Sequence, residues 1–303
     1  MEENTKIAKI DYKKFIEDNF LILDQEKQTP VPFILKPVQN EYLSILEEEY
    51  SEMEGVREII LKARQEGFSS LILALFTVDF ILRPYSVSIC VSHKRDATEL
   101  LFKKVKFYLE SFCQKNGIAM KDYLSSETKG MIENRVNDAV FYIQTAGSKV
   151  GGRGGSARNL HFSEGAFYSD TELITAEEML TATAQQVPQG FGMIFIESTA
   201  NGEGNYYQKE WERAYTDHVS SYKPRFFGWE KYYSPQWIEE KRKEFASEAK
   251  FKQEYPRTPE EAFISSGSPY FRNDILDLML ATAKQKFPMI QSGMIMPDGN
   301  FNG

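Results

Sequence analysis

The chain has 303 residues, enough for one large α/β domain or two smaller ones, with 42% hydrophobic and 26% charged residues, the proportions of a soluble globular protein. A net charge of −8 argues against holding nucleic acid by bulk charge, while leaving room for a local basic face. Two cysteines and three histidines are too few for a disulfide framework or a zinc site. There is no apolar leader and no run long enough to span a bilayer. A cytoplasmic protein is expected.

The first 32 residues read as a short helical lead-in ending at "QTPVPF". Pro37 opens a helical pattern to about Tyr50, and Gln39 near its start is a candidate for an adenine edge, since an amide both donates and accepts. An ordinary amphipathic helix start would carry the same residues. Val56–Leu61 is a short apolar strand, and Phe68–Leu82 reads as a helix stopping before Pro84.

Between these two lies "KARQEGFSS", Lys62 to Ser70. Against the phosphate-loop pattern G-x-x-x-x-G-K-[ST], the second glycine is Gly67 and the hydroxyl is Ser69, but Phe68 fills the lysine slot and Lys62 the first glycine slot. A strand–loop–helix junction is where backbone N–H groups meet an anion. The candidate nucleotide-binding loop is therefore Lys62, Ala63, Arg64, Gln65, Glu66, Gly67, Phe68, Ser69 and Ser70. Lys62 or Arg64 would supply the displaced cation, and Ser69 a hydroxyl for Mg²⁺. A surface turn with basic residues before a core helix is the plainer reading.

"SVSICVS" reads as a strand, "RDATELLFKKVKFYLESF" as a helix, and "AVFYIQTAG", "NLHFSE" and "GMIFIEST" as further strands. Strands alternating with helices point to a mainly parallel sheet covered on both faces. "GSKVGGRGGSARNL" is a glycine-rich loop in which Arg153, rather than Arg158, is a candidate arginine finger acting in trans; Lys149 and Arg153 could instead touch DNA phosphates. The next strand ends in Ser163–Glu164. Many phosphate-loop ATPases place Asp-Glu here, so Glu164 is the candidate for polarising water, and Ser163 a support for Mg²⁺ through water. Ser198, Thr199 and Asn201 end the following strand, where ligands of open α/β sheets bind, and could sense a γ-phosphate. Past Asp217, "SYKPRFFGW" suggests one more strand. "SPQWIEEKRKEFASEAKFKQEY" suggests a polar helical hairpin with Ser234 as N-cap and Pro235 in the first turn.

In this order the motifs resemble the ATPase part of the large terminase subunit of tailed bacteriophages. "KARQEGFSS" is similar to the family's deviant Walker A loop, "HFSEGAFY" to its Walker B strand, "ESTANGEGN" to its coupling motif, and "KFKQEYPRTPEEAFISSGSPYF" to the segment joining ATPase to nuclease. The resemblance spans roughly Phe33 to Phe271. It implies an α/β phosphate-loop NTPase of the ASCE type with a small helical lid: residues 1–32 lead-in, 33–216 ATPase core, 217–255 lid, and 256–303 linker toward a nuclease domain the chain lacks. It implies ATP and Mg²⁺ as cofactors and hydrolysis coupled to packaging double-stranded DNA in the host cytoplasm. The implied partners are a homo-oligomeric ring, the phage portal and the small terminase subunit, with no membrane and no nuclease activity. A helicase-like DNA-remodelling ATPase and a non-hydrolysing nucleotide-binding module are the alternatives.

Overall fold

The computed structural model describes residues 9–24, 27–147, 155–172, 174–263 and, further on, 279, 282–283, 294–295 and 301–302. The chain divides into two compact units, Met1–Ile264 and Ser265–Gly303. In the second, β11 (Met294–Ile295) and β12 (Phe301–Asn302) pair antiparallel.

The first unit runs α1 (Tyr12–Asn19), β1 (Leu21–Leu23), β2 (Pro30–Pro32), α2 (Pro37–Glu49), β3 (Val56–Lys62), α3 (Phe68–Leu82), β4 (Val87–Ser92) and α4 (Arg95–Lys115). It continues through a one-turn α5 (Met120–Tyr123), β5 (Leu124–Glu127), β6 (Met131–Asn134), β7 (Val140–Thr145), β8 (Asn159–Ser163), α6 (Ala176–Ala184), β9 (Met193–Ser198) and α7 (Tyr206–Tyr215). It closes with β10 (Lys223–Phe227), α8 (Pro235–Arg242), α9 (Glu248–Glu254) and α10 (Pro259–Ala262). The main sheet has the order β10-β3-β9-β8-β4-β7-β6-β5. Its pairs are parallel from β10 to β7, and the β5–β6 hairpin extends it antiparallel.

Both faces are covered, as parallel sheets require. Helices α1 to α4 pack on one face, against Val56 and Ile60 of β3 and Met193 and Phe195 of β9. Helices α6 and α7 pack on the other, against Ile59, Leu61, Ile194 and Ile196. Alternation along a strand sends successive side chains to opposite faces, so the first set and the second interleave. α3 is buried along nearly its whole length and is the central helix of its face. Its Asp79 accepts hydrogen bonds from Tyr12, Arg83, Arg158 and Asn159, which fastens α1 and the start of β8 to it.

Two features differ from the sequence-based expectation. The lead-in contains a β1–β2 hairpin after its helix. β10 lies inside the 217–255 segment expected for the lid, yet it is the edge strand of the main sheet, paired with β3. After it comes the helical hairpin α8–α9, where Ser234 caps α8 by accepting from the Trp237 N–H and Pro235 opens the first turn. Among the described residues no helix is long and apolar enough to cross a membrane.

Candidate functional site

The site lies where β3, β9 and β8 end side by side. β9 is the middle strand, with Leu61 of β3 opposite Ser198 and Ser163 of β8 opposite Glu197. By alternation, Lys62 continues the β3 row of Val56 and Ile60, Glu197 continues the β9 row of Met193 and Phe195, and Ser163 follows Asn159 and His161. All three rows face α3, so its first turn, with Ser69, meets them.

The contacts follow from this placement. Lys62 Nζ is 3.3 Å from Glu164 Oε1 and 3.3 Å from Glu197 Oε2, with the lysine side chain 6% exposed. Burial works against its charge, but Glu164 and Glu197 together hold the ammonium above its usual pKa. Glu197 is fully buried; Ser69 Oγ donates to its Oε1 at 2.6 Å and Ser163 Oγ at 3.0 Å. Burial alone would push that carboxyl up. Lys62, His161 and Ser69 outweigh it and hold the group well below the ordinary carboxylate range. Behind it, His161 Nε2 is 3.3 Å away, and His161 Nδ1 is 3.5 Å from Cys90 Sγ.

Glu164 is the most open member, 30% exposed, and its backbone is left-handed at φ 56°. Its Oε2 accepts from Ser198 Oγ and from the Thr199 N–H, both at 3.3 Å. Asn201 Nδ2 donates to Ala166 O at 3.1 Å, tying the end of β9 to the turn after Glu164.

The loop from Lys62 to Ser70 is divided in its duties. Gly67 adopts φ +80°, and a Cβ there would sit 2.6 Å from Gln39 Nε2. Gln39 is buried, donates to Gly67 O at 2.8 Å and accepts from the Lys36 N–H at 2.9 Å. Its amide thus ties α2 to the loop, and reading an adenine edge would require breaking these bonds. Phe68, in the lysine slot, turns into the core against Phe227 and Tyr42. Ala63 is buried with Ile238, Phe251 and Tyr255. Arg64 pairs with Glu254 of α9 at 3.0 Å and feels Glu164 only through space. Gln65 O accepts from Lys36 Nζ, and Ser70 Oγ from Lys104 Nζ. Glu66 is buried with Oε1 unpartnered among the described residues. Of the two candidate cations, the structure brings Lys62 to the acidic edge.

Arg153 and Lys149 lie outside the described residues. Arg158 precedes β8, at the opposite end of the strands from Glu164, bonded to Asp79 and Glu54. Sequence reasoning passed over Glu197. The one trace in the sequence is a lone acid inside the apolar "IFIEST"; that it lies beside the polar row Asn159, His161 and Ser163 is shown only by the strand pairing.

Among the described residues no group of three or more His, Cys, Asp or Glu side chains is arranged to hold a metal ion. The hydroxyls of Ser69 and Ser163 beside one carboxylate are hard oxygen donors, the kind Mg²⁺ takes when phosphate oxygens and water complete its shell.

No protein-family model matches the sequence, and no curated protein matches it. Solved structures do share its fold. The large terminase ATPase domain of Thermus phage P74-26 is 16% identical at a TM-score of 0.51, covering 69% of this chain and 88% of that one. The HK97 bacteriophage large terminase is 13% identical at 0.57, covering 92% and 51%. The large terminase of a thermophilic bacteriophage, in complex with ADP, is 11% identical at 0.53, covering 79% and 57%. The chain thus spans only about half of these last two proteins. Its fold is that of the phage large-terminase ATPase domain.

Proposed function

We propose that this chain is an ATP-hydrolysing module of a viral DNA-packaging motor, driving double-stranded DNA into a procapsid. The observation that carries the reading is the meeting of Lys62 and Glu164, 3.3 Å apart, beside the Gly67 turn and the first residues of α3. In this reading Lys62, at the end of β3, takes over the task of the lysine absent from its usual slot. That a thermophilic-phage neighbour was solved in complex with ADP supports a nucleotide as ligand.

In this reading the N–H groups at the start of α3 cradle phosphates, helped by the helix dipole. Lys62 neutralises the γ-phosphate. Ser69 and Ser163 would present hydroxyls to a bound Mg²⁺, which would supply neutralisation of the phosphate charge. Glu164 orients and deprotonates the attacking water; Ser198 and Thr199, already bonded to it, carry the phosphate state toward Asn201 and the turn after β8. The lid is α8–α9, joined to the loop through Arg64 and Glu254. Arg153 acts on a neighbouring subunit's nucleotide within a homo-oligomeric ring, which docks on a portal with a small terminase subunit in the host cytoplasm.

The test is a pair of variants assayed for nucleotide binding and for Mg²⁺-dependent phosphate release. Glu164→Ala is expected to bind ATP while its turnover falls by about 10²–10⁴, the usual worth of a general base. Lys62→Ala is expected to lose affinity as well. Turnover like wild type in Glu164→Ala would sink the assignment.

A further inference from the structure

We propose that Glu197 supplies the carboxylate that anchors the nucleotide-bound divalent cation, standing one strand away from the position where β8 carries Ser163. This rests on the ATPase reading above and assigns its metal a charged ligand.

An uncharged Ser163 leaves β8 without a carboxylate at that position, and the sheet makes good the loss laterally. β8 and β9 are parallel, and Ser163 and Glu197 are direct partners across them. Both point to the α3 face. Ser163 Oγ and Ser69 Oγ converge on one oxygen of Glu197, at 3.0 and 2.6 Å. Three oxygen donors from β8, β9 and the first turn of α3 therefore meet at one point. Mg²⁺ is commonly held by one or two carboxylates plus substrate phosphates and water, and this set provides the protein share.

The other oxygen of Glu197 is buried and accepts no hydrogen bond among the described residues; it faces the Lys62 ammonium at 3.3 Å. A buried carboxylate needs a charged partner. Lys62 fills that need here, and a bound phosphate competing for Lys62 would leave Glu197 in need of a replacement cation. His161, itself fully buried, backs Glu197 at 3.3 Å with Cys90 behind it. Outer partners of this kind fix the orientation of metal-ligating groups. Glu164, in contrast, is partly open and bonded to Ser198 and Thr199, as a group that must address water should be.

The experiment titrates Mn²⁺ into the ADP complex, reads bound metal by electron paramagnetic resonance, and measures ADP affinity separately in chelator. Glu197→Gln is expected to leave metal-free ADP affinity unchanged and to weaken Mn²⁺ binding by at least about tenfold, the lower end of what even an outer partner of a ligand is worth. Adding Ser163→Asp to that variant is expected to restore Mn²⁺ binding. In wild type labelled with ¹³C at glutamate carboxyls, bound Mn²⁺ is expected to show a carboxyl coupling. Absence of that coupling overturns the proposal even if Glu197→Gln does not fold. So does an unchanged Mn²⁺ affinity in Glu197→Gln, or an equal loss of metal-free ADP binding. A wild-type protein that binds no ADP with or without metal removes the ATPase reading itself.

Discussion

Glu66 and Gly67 sit in the same tight loop and are constrained in different ways. Burial pushes the Glu66 carboxyl up to about 7 from an ordinary 4.5, with Lys36 and Lys62 pulling the other way. Between those two pH values the folded chain holds a proton that the unfolded chain has lost. Stability therefore falls as pH rises through that window. Glu66→Gln removes the effect: its melting temperature is expected to exceed that of wild type at pH 8 and to approach it near pH 4. Equal melting curves at both pH values would contradict this. At Gly67 the cause is the backbone. Gly67→Ala would adopt a left-handed φ and press on Gln39, costing about 1–2 kcal/mol from the backbone alone, measurable by denaturant unfolding. If the loop binds phosphate as proposed, ADP affinity should fall with it. Lys62, Gly67, Ser69 and Glu164 were legible in the sequence because each sits next to an element boundary. Glu197 was not, because its meaning depends on Ser163 across the strand pair, and register between strands is not written in either segment alone.

The elements that sequence patterns reveal best are those with a continuous apolar run or a sustained helical period. β3, α3, β4 and α4 were all expected within a few residues of where they lie. The hairpin β5–β6 was not, since "LSSE" and "MIEN" are four residues each and bury only alternate positions, too short a pattern to stand out. α6 was also passed over, although Thr175 and Glu178 form a reciprocal capping box. The α8–α9 hairpin was read from its cap and charge pattern, and its energetics are distinct. Ile238, Phe251, Tyr255 and Ala63 form a cluster separate from those on the two sheet faces. Phe251→Ala would remove on the order of 3–5 kcal/mol of packing of the kind a core phenylalanine contributes. Because the cluster is a satellite, the loss is expected to be local. Hydrogen exchange should speed up in α8 and α9 while β8 and β9 keep their protection. Uniform loss of protection across the sheet would mean the hairpin is part of the global folding unit.

At the scale of the whole molecule, the question is whether one chain completes its own site. Lys62, Ser69, Glu164 and Glu197 converge within a single unit, while Arg64 and Arg158 are both engaged elsewhere: Arg64 is paired with Glu254, and Arg158 is held at the other end of the strands by Asp79 and Glu54. The proposed motor assigns the transition-state cation to Arg153 of the next subunit in a ring. Two consequences separate trans from cis action. Specific ATPase activity should climb with protein concentration, and Arg153→Ala should abolish it, an arginine finger being worth roughly 10³–10⁵ in rate. The second is complementation. An Arg153→Ala subunit keeps Glu164 but offers no finger, whereas a Glu164→Ala subunit keeps the finger but has no base. Each is expected to be inactive alone. Mixed, they form interfaces where the arginine of one meets the intact glutamate of the other, and part of the activity should return. If Arg153 acts within its own chain, no mixed interface contains a whole site, and the mixture stays as inactive as its components.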